Sequence, residues 1–396
     1  MAKYLIVVPP YHGHISPTLA IGAGLVQNGH TVHWFSPKAF PAIDIPDTSV
    51  FFVPESLDGS EEVERCCTTL KTQYYSVFKS MKILTETAMI PLSRVMMQPL
   101  ESYVQAFQPD VIINDHLSFA ASIIAYKKGI PYATSWSAPS GIPNEQGLPP
   151  KIYGWLKSTY VNHQKEYGID VDRIVVFSET MNIVATSPEF MRVTLPPPFH
   201  QVGPLIKGRK QQTDFDWDRL HASDQPKVMI SIGTVLTNFQ KDFYQVVIEA
   251  VADLPVTFVA VAEPGILDKW PDNFIVQSYV PQLELLPHMN ALIGHGGHNT
   301  TCEALYFGLP LIIVPIVNDA YEVAEQVEAI GCGLRANFYR LKADKLRAML
   351  LDILENPSYK QKSEAIQNSF IAAGGVPRAI SLLESLIKPS EDVLYF

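Results

Sequence analysis

The stretch ALIGHGGHNTTCEALYFGLPLIIVP, residues 291–315, carries the clearest structural signal in the chain. An apolar strand runs into the glycine turn 294–297, and a helix begins near Asn299. That helix closes at Gly308, which is followed by Pro310, the usual sign of a helix end. A second apolar strand follows at 311–315. The strand–helix–strand order predicts parallel strands joined by a crossover helix.

The same glycine turn predicts a binding site for an anion. The first amides of a helix have no partner within the helix, and its dipole is positive at that end, so a phosphate binds well there. Glycines allow a phosphate to approach the backbone closely. Hydrogen-bond donors are added by His295, Asn299 and Thr300, and Glu303 lies one turn further along the helix. Two alternatives remain at this point. The glycines could serve packing alone, or His295 and His298 could hold a metal, although no third ligand stands at a suitable spacing.

The rest of the chain repeats the alternation in two runs. A surface linker is predicted at 203–218, and residues 136–170, rich in Pro, Gly, Trp and Tyr, are predicted to be irregular and part of a binding mouth. A first helix is predicted to open at Ser16-Pro17 and a later one at 118–128. Strands are predicted at 4–9, 31–35, 110–114 and 131–135, then at 227–231, 256–261, 274–278, 291–293 and 311–315. The pattern predicts an α/β fold of two doubly wound domains facing a cleft, with ligands beyond the carboxyl ends of the strands.

A candidate general base lies after the first strand, at His14. An imidazole can accept a hydroxyl proton at neutral pH. Asp115 follows the strand 110–114 and should emerge at the same edge of the sheet, where a carboxylate would orient the ring. A lone histidine in a loop is more often structural, so the pairing with Asp115 decides the choice. His12 and His116 are ranked below His14.

Composition excludes several classes of protein. The 396 residues are 47% hydrophobic and 18% charged, with a net charge of −10, which disfavours a disordered chain and a nucleic-acid partner. No apolar run approaches the ~20 residues of a membrane span, although peripheral contact with a membrane stays open. The N-terminal apolar stretch lacks a cleavage site, and the four cysteines have no metal or disulfide spacing. We therefore expect a soluble, cytoplasmic protein.

The segment 279–320, with YVPQLELLPH and HGGHNTTCEALYFGLPLIIVP, resembles the donor signature of the UDP-glycosyltransferase superfamily. Gly-His-x-x-Pro at 13–17 and Ser-x-Gly-Thr at 231–234 extend the resemblance over most of the chain. It implies the GT-B fold of two Rossmann-like domains. We expect an acceptor domain at 1–205 and a nucleotide-sugar domain at 206–375, with a helix at about 376–396 packing back on the first.

The resemblance also implies roles for single residues. On the nucleoside, Tyr279 would stack on the base beside Val280, Gln282 would contact the nucleoside and Glu303 would hold the ribose hydroxyls. On the diphosphate and sugar, the residues implied are Gly233, Thr234, His295, Gly297, Asn299, Thr300 and Asp319. The base and its partner would be His14 and Asp115.

The activity implied is transfer of a sugar from a UDP- or dTDP-sugar to a hydroxyl of a small apolar acceptor, with inversion and without metal or cofactor. Ala320 stands where the family has a glutamine on the sugar, which leaves the sugar open. Apolar residues in 51–100, Phe78, Met89 and Met96 among them, suggest a polyketide, phenolic or lipid acceptor. The alternatives are an epimerase or hydrolase of the same fold and an accessory protein without activity, as a monomer or a dimer.

Overall fold

The structure, a computed structural model, describes residues 1–40, 44–69, 77–139, 142, 148–209, 213–233, 239–316 and 319–387. The chain divides into two compact units. The first comprises Met1–Thr186, Thr194–Arg209 and Ala373–Phe396, and the second comprises Ser187–Val193 and Lys210–Ala372. No helix within the described ranges is long and apolar enough to span a membrane.

The first unit is built on a parallel sheet of seven strands. Its strands are β1 (Lys3–Val7), β2 (Thr31–Phe35), β3 (Val50–Phe52), β4 (Val111–Asp115), β5 (Tyr132–Trp136), β6 (Asn182–Val184) and β7 (Phe199–Gln201). Their order is β3-β2-β1-β4-β5-β6-β7. The strands that follow β1 therefore lie on both sides of it, β2 and β3 on one side and β4 to β7 on the other. The strand order reverses between β1 and β4, and open α/β sheets bind ligands at such a point.

Helices cover both faces of this sheet. They are α1 (His12–Gln27), α2 (Glu61–Thr69), α3 (Val77–Ile83), a π-helical turn (Leu84–Met89), α4 (Ile90–Phe107), α5 (Phe119–Lys128), α6 (Pro150–Lys165) and a last helix, Gly375–Ser385. The last helix packs on α1, and its Val376, Ile380 and Leu383 join the core under β1. Burial of these apolar side chains supplies most of the driving force that holds it there.

Two sequence predictions in this unit are wrong. The first helix begins at His12, not at Ser16-Pro17, because the carbonyl of Tyr11 already accepts from the amides of His14 and Ile15 at 3.0 and 3.2 Å. Pro17 lies inside the helix, where its missing N–H costs one intrahelical bond. Residues 136–170 are not irregular throughout, since α6 fills half of them with Pro150 at its start, a position that proline favours.

The second unit has a parallel sheet of six strands in the order β10-β9-β8-β11-β12-β13. The strands are β8 (Lys227–Ser231), β9 (Thr257–Val261), β10 (Phe274–Gln277), β11 (Ala291–Gly294), β12 (Leu311–Ile313) and β13 (Gly333–Arg335). The helices are α7 (Pro188–Met191), α8 (Trp217–His221), α9 (Gln240–Val251), α10 (Gln282–Leu285), α11 (His298–Tyr306), α12 (Ala320–Ile330), α13 (Ala343–Glu355) and α14 (Pro357–Ala372), and the last helix of the chain is α15. Short 3₁₀ turns occur at Pro264–Ile266, Leu286–His288 and Phe338–Arg340.

This second sheet reverses its strand order between β8 and β11, as the first does between β1 and β4. A core of strand and helix residues, among them Met229, Leu292 and Leu305, is fully buried beneath it. Both units are thus doubly wound, Rossmann-like α/β structures, and the predicted fold class is confirmed in this respect.

Candidate active site

The candidate base lies at the point where the first sheet reverses its strand order. β1 and β4 are neighbours, with Val7 paired with Asn114, so their carboxyl ends meet at one edge. Asp115 is the last residue of β4, and His14 lies in the first turn of α1. The early start of α1 therefore fixes the backbone of His14 in a helix, where the sequence suggested a loop.

The His14 imidazole faces the carboxylate of Asp115. Nδ1 of His14 lies 3.0 Å from Oδ1 and 3.0 Å from Oδ2 of Asp115. The carboxylate is fully buried, and 19% of the His14 side chain is exposed. With Nδ1 directed at the carboxylate, Nε2 is the nitrogen left to take a proton from another molecule.

A third polar side chain, Ser137, completes this group. Its Oγ lies 3.0 Å from Nδ1 of His14, and its hydroxyl donates to Oδ2 of Asp115 at 3.5 Å. The amide of Leu117 donates to Oδ1 of Asp115 at 2.9 Å. Burial acts to raise the pKa of Asp115, but the charges of His14 and His116 and the hydrogen bonds from His14 and the amide of Leu117 outweigh it, so that the pKa lies below its usual value. Asp115 is a buried, ionised carboxylate.

The two histidines ranked below His14 have other surroundings. His12 is exposed and packs edge-on against Phe40, with 5.1 Å between ring centroids. His116 is 7% exposed and stacks on Trp136 at 4.8 Å. Its Nδ1 lies 3.6 Å from Oδ1 of Asp115, beyond hydrogen-bonding distance.

The glycine turns of the second unit meet where its strand order reverses. Gly233 follows β8 and has a φ of +77°, while His295 follows β11. A β-carbon at Gly233 would lie 2.7 Å from Cε1 of His295, and one at Gly297 would lie 2.8 Å from its Nε2. The imidazole therefore fits between two positions that have to be glycine. Burial lowers the pKa of His295 to about 4, so the ring is neutral at pH 7.

Helix α11 begins directly after this turn. Gly297 is its N-cap residue, and the first amide bonded back along the helix is that of Thr301, to the Gly297 carbonyl at 3.0 Å. Asn299 and Thr300 are partly buried in its first turn, so they belong to the end of the helix that attracts anions. His298 is buried, and its Nε2 lies 3.4 Å from Sγ of Cys302. Among the described residues, neither His295 nor His298 belongs to a group of three side chains close enough to hold a metal ion.

The predicted nucleoside residues lie around the start of α10. Nε2 of Gln282 donates to Oε2 of Glu303 at 2.5 Å, so the structure brings these two side chains together. Glu303 is 3% exposed and Tyr279 is 48% exposed, whereas Val280 is buried in the core. An exposed aromatic side chain near a paired amide and carboxylate is suited to a stacked base and a diol.

The remaining predicted residues differ in how much the structure says of them. Asp319 is the N-cap residue of α12, and Ala320 begins that helix, 2% exposed and packed beneath Gly296. Thr234 lies outside the described residues. Of the apolar residues proposed for the acceptor, Met89 and Met96 are buried core, whereas Phe78 is 40% exposed and packs against Trp155.

Sequence reasoning missed Ser137. The signal for it was available, because Ser137 directly follows β5, the neighbour of β4, and the carboxyl ends of parallel strands share one edge. The predicted strand ended at residue 135, which left Ser137 in a segment read as irregular.

The chain is similar to known proteins along its whole length. A family model described as the erythromycin biosynthesis protein CIII-like C-terminal domain matches residues 241–381. A relative named as the uncharacterized UDP-glucosyltransferase YojK of Bacillus subtilis (strain 168) is 27% identical, with 99% of each chain covered. The 4'-demethylrebeccamycin synthase of Lentzea aerocolonigenes is 24% identical, over 98% of this chain and 100% of the relative. The solved structure of glycosyltransferase VinC in complex with dTDP superposes with a TM-score of 0.70 at 21% identity, covering 97% of this chain and 99% of that chain.

Proposed function

We propose that the chain, a glycosyltransferase similar to natural-product enzymes of the UDP-glycosyltransferase superfamily, transfers a sugar from a UDP- or dTDP-sugar to a hydroxyl of a small apolar acceptor. In this proposal the configuration at the anomeric carbon inverts and no metal takes part. The observation that carries it is the contact of His14 Nδ1 with both oxygens of the buried Asp115, at 3.0 Å each. The first unit would bind the acceptor and the second the donor.

His14 is proposed as the general base. Its Nε2 takes the proton of the acceptor hydroxyl as the oxygen attacks the anomeric carbon, and the ring becomes an imidazolium. Asp115 then faces a cation at 3.0 Å instead of a neutral ring, and this charge pair stabilises the transition state. Catalysis by a positioned base of this kind is typically worth ~10²–10⁴ in rate.

The second unit is proposed to receive the leaving diphosphate. The bond from the anomeric carbon to the phosphate oxygen breaks as the new bond to the acceptor forms, and the electron pair stays on the diphosphate. The amide end of α11, Asn299, Thr300 and the neutral N–H of His295 would stabilise that charge. These donors would stabilise the leaving diphosphate, as a divalent cation does in other sugar transferases. A single in-line displacement gives inversion.

The names of the relatives support the two substrate classes. VinC was solved with dTDP, YojK is named as an uncharacterized UDP-glucosyltransferase, and another relative is named 4'-demethylrebeccamycin synthase. We propose an apolar natural product, phenolic compound or lipid as the acceptor. The identity of the sugar is not assigned, because Ala320 has a small buried side chain with no amide to bind a sugar hydroxyl. The four buried free cysteines support a cytoplasmic site of action.

A mass-spectrometric panel tests the proposal. The protein is incubated with UDP- and dTDP-sugars and with mixed hydroxylated aglycones, with and without EDTA. We expect acceptor masses to increase by one sugar, equally in EDTA, and NMR of the product to give a β-linkage from an α-linked donor. Isomerised or hydrolysed donor without acceptor product would indicate an epimerase or hydrolase. Donor binding without any product would indicate an accessory protein. Retention of configuration, or activity lost in EDTA, would overturn the mechanism.

A further inference from the structure

Three side chains in the first unit form a group with the donor atoms of a metal site. Among the described residues, His14, Asp115 and His116 each offer one ligand atom, and the three atoms all lie within 4.8 Å of one another. Two imidazoles and a carboxylate are ligands that Zn²⁺ and similar ions prefer. In the proposed reaction two of these residues take part directly, whereas His116 acts only through the charge of Asp115.

His116 carries the independent observation. The residue is 7% exposed, and its Nδ1 is buried without a hydrogen-bond partner. A buried polar atom left in this way destabilises the fold, so such atoms are rare unless water or a ligand satisfies them. The ring is held in place by stacking on Trp136, with 4.8 Å between centroids and an interplanar angle of 18°.

We propose that His14, Asp115 and His116 form an inhibitory site for a divalent transition-metal ion, with Zn²⁺ as the ion that suits it best. Bonds of the usual length in a tetrahedral site place ligand atoms roughly 3.3 Å apart. Oδ1 of Asp115 lies 3.0 Å from Nδ1 of His14 and 3.6 Å from Nδ1 of His116, which brackets that separation. Water or a second carboxylate oxygen would fill the fourth position.

Inhibition follows from the two nitrogens of His14, and this step rests on the proposed role of His14 as base. In the active form Nδ1 carries the proton, and the lone pair of Nε2 accepts from the acceptor. When Nδ1 gives its lone pair to the ion, it loses its proton, and Nε2 takes one up from solvent. The ring stays neutral with one proton, but Nε2 is now a donor and can no longer act as a base.

Zinc inhibition of the transferase, measured in the wild type and in two variants, tests the site. His116→Phe removes a ligand atom but retains a ring that stacks on Trp136. His221→Phe is the matched control, because His221 is exposed in the second unit beside His288, with 5.3 Å between the ring centroids. Inhibition is expressed relative to the uninhibited rate of each variant. We expect EDTA to reverse it and His116→Phe to raise the inhibitory ZnCl₂ concentration by about tenfold or more, with no change in His221→Phe.

Two binding measurements need no activity. Calorimetric titration of the unliganded protein with ZnCl₂ should show a site that His116→Phe lacks and His221→Phe retains. Binding of Cu²⁺, a fluorescence quencher, should quench Trp136, so Trp136→Phe should lose most of the quenching in a protein with His116 intact. Equal zinc affinity in the wild type and His116→Phe, or unchanged quenching in Trp136→Phe, would overturn the site. An active transferase that binds zinc at His116 without inhibition would overturn the inhibitory role alone. Binding there in a protein with no transferase activity would retain the site and remove the proposed function.

Discussion

The imidazole ring of His295 occupies the space that a side chain at Gly233 would need. A β-carbon at Gly233 would approach Cε1 of His295 to 2.7 Å, and the φ of +77° at Gly233 is itself unfavourable for any residue with a β-carbon. Gly233→Ala should therefore displace His295 and lower the affinity for UDP or dTDP by about tenfold or more, the loss of one charge-assisted hydrogen bond. Calorimetric titration with each nucleotide measures this.

Gly331→Ala is the matched control for that variant. Gly331 has nearly the same φ, +79°, but a β-carbon there would meet only Cγ of Lys362, at an ordinary 3.9 Å. Both variants should lose about 1 kcal/mol of stability through backbone strain, and only Gly233→Ala should lose nucleotide affinity. Equal nucleotide affinity in the two variants would show that His295 does not contact the diphosphate.

His14→Ala should remove most of the turnover and leave nucleotide binding nearly unchanged. The base contributes ~10²–10⁴ in rate, whereas the proposed nucleotide residues all lie in the second unit. Initial rates with a saturating acceptor, together with a calorimetric titration with UDP, separate the two effects. Normal turnover in this variant would refute the assignment of the base.

Ser137→Ala tests whether the serine positions the dyad. Its Oγ lies 3.0 Å from Nδ1 of His14 and 3.5 Å from Oδ2 of Asp115, so its loss leaves the carboxylate with one donor fewer. We expect kcat to fall about tenfold, with the KM for the donor unchanged. The limb of the pH–rate profile that reports ionisation of the general base should shift as well. A loss of packing alone would not cause this shift. Ser137→Thr, which retains the hydroxyl, should recover most of the rate; a threonine variant as slow as the alanine variant would count against positioning.

Most strands of the two sheets were predictable because buried parallel strands consist of short runs of apolar residues. Residues 31–35 and 227–231 were predicted with the bounds that β2 and β8 have. Gly294 to Gly308 was predictable for a different reason: glycine and proline mark where the chain must turn, and Gly308 has a φ of +68°. The contact between His14 and Asp115 followed from topology, since strands that run in the same direction end at one edge.

One part that could not be predicted is local, and the others depend on contacts distant in sequence. Ser16-Pro17 looked like a helix start, but the carbonyl of Tyr11 begins the helix one turn earlier. Similarly, α6 has little amphipathic pattern of its own, and it is stabilised by packing, as where Tyr160 meets Phe119 and Phe177. The unpaired nitrogen of His116 could not be inferred at all, because it depends on the stacking partner Trp136.

The ionisation of His295 predicts how stability depends on pH. Burial lowers its pKa to about 4 in the folded protein, against a usual value of about 6.5 in an unfolded chain. Between these values the unfolded state binds a proton that the folded state does not, so the stabilisation is complete above pH 6.5 and is lost as the pH falls towards 4. Because the ring of His295 is only partly buried, we take the loss of unfolding free energy as about 2 kcal/mol.

Urea unfolding at pH 7 and at pH 4.5, in the absence of nucleotide, measures this loss. The fluorescence of Trp217 and Trp270 reports on the second unit, which holds His295. Between the two pH values, His295→Gln should lose about 2 kcal/mol less free energy of unfolding than the wild type, because glutamine does not titrate. His288→Gln replaces an exposed histidine in the same unit and should follow the wild type. If His295→Gln and His288→Gln lost stability equally on acidification, burial would not hold the ring of His295 neutral, and its proposed role as a neutral donor to the diphosphate would have to be abandoned.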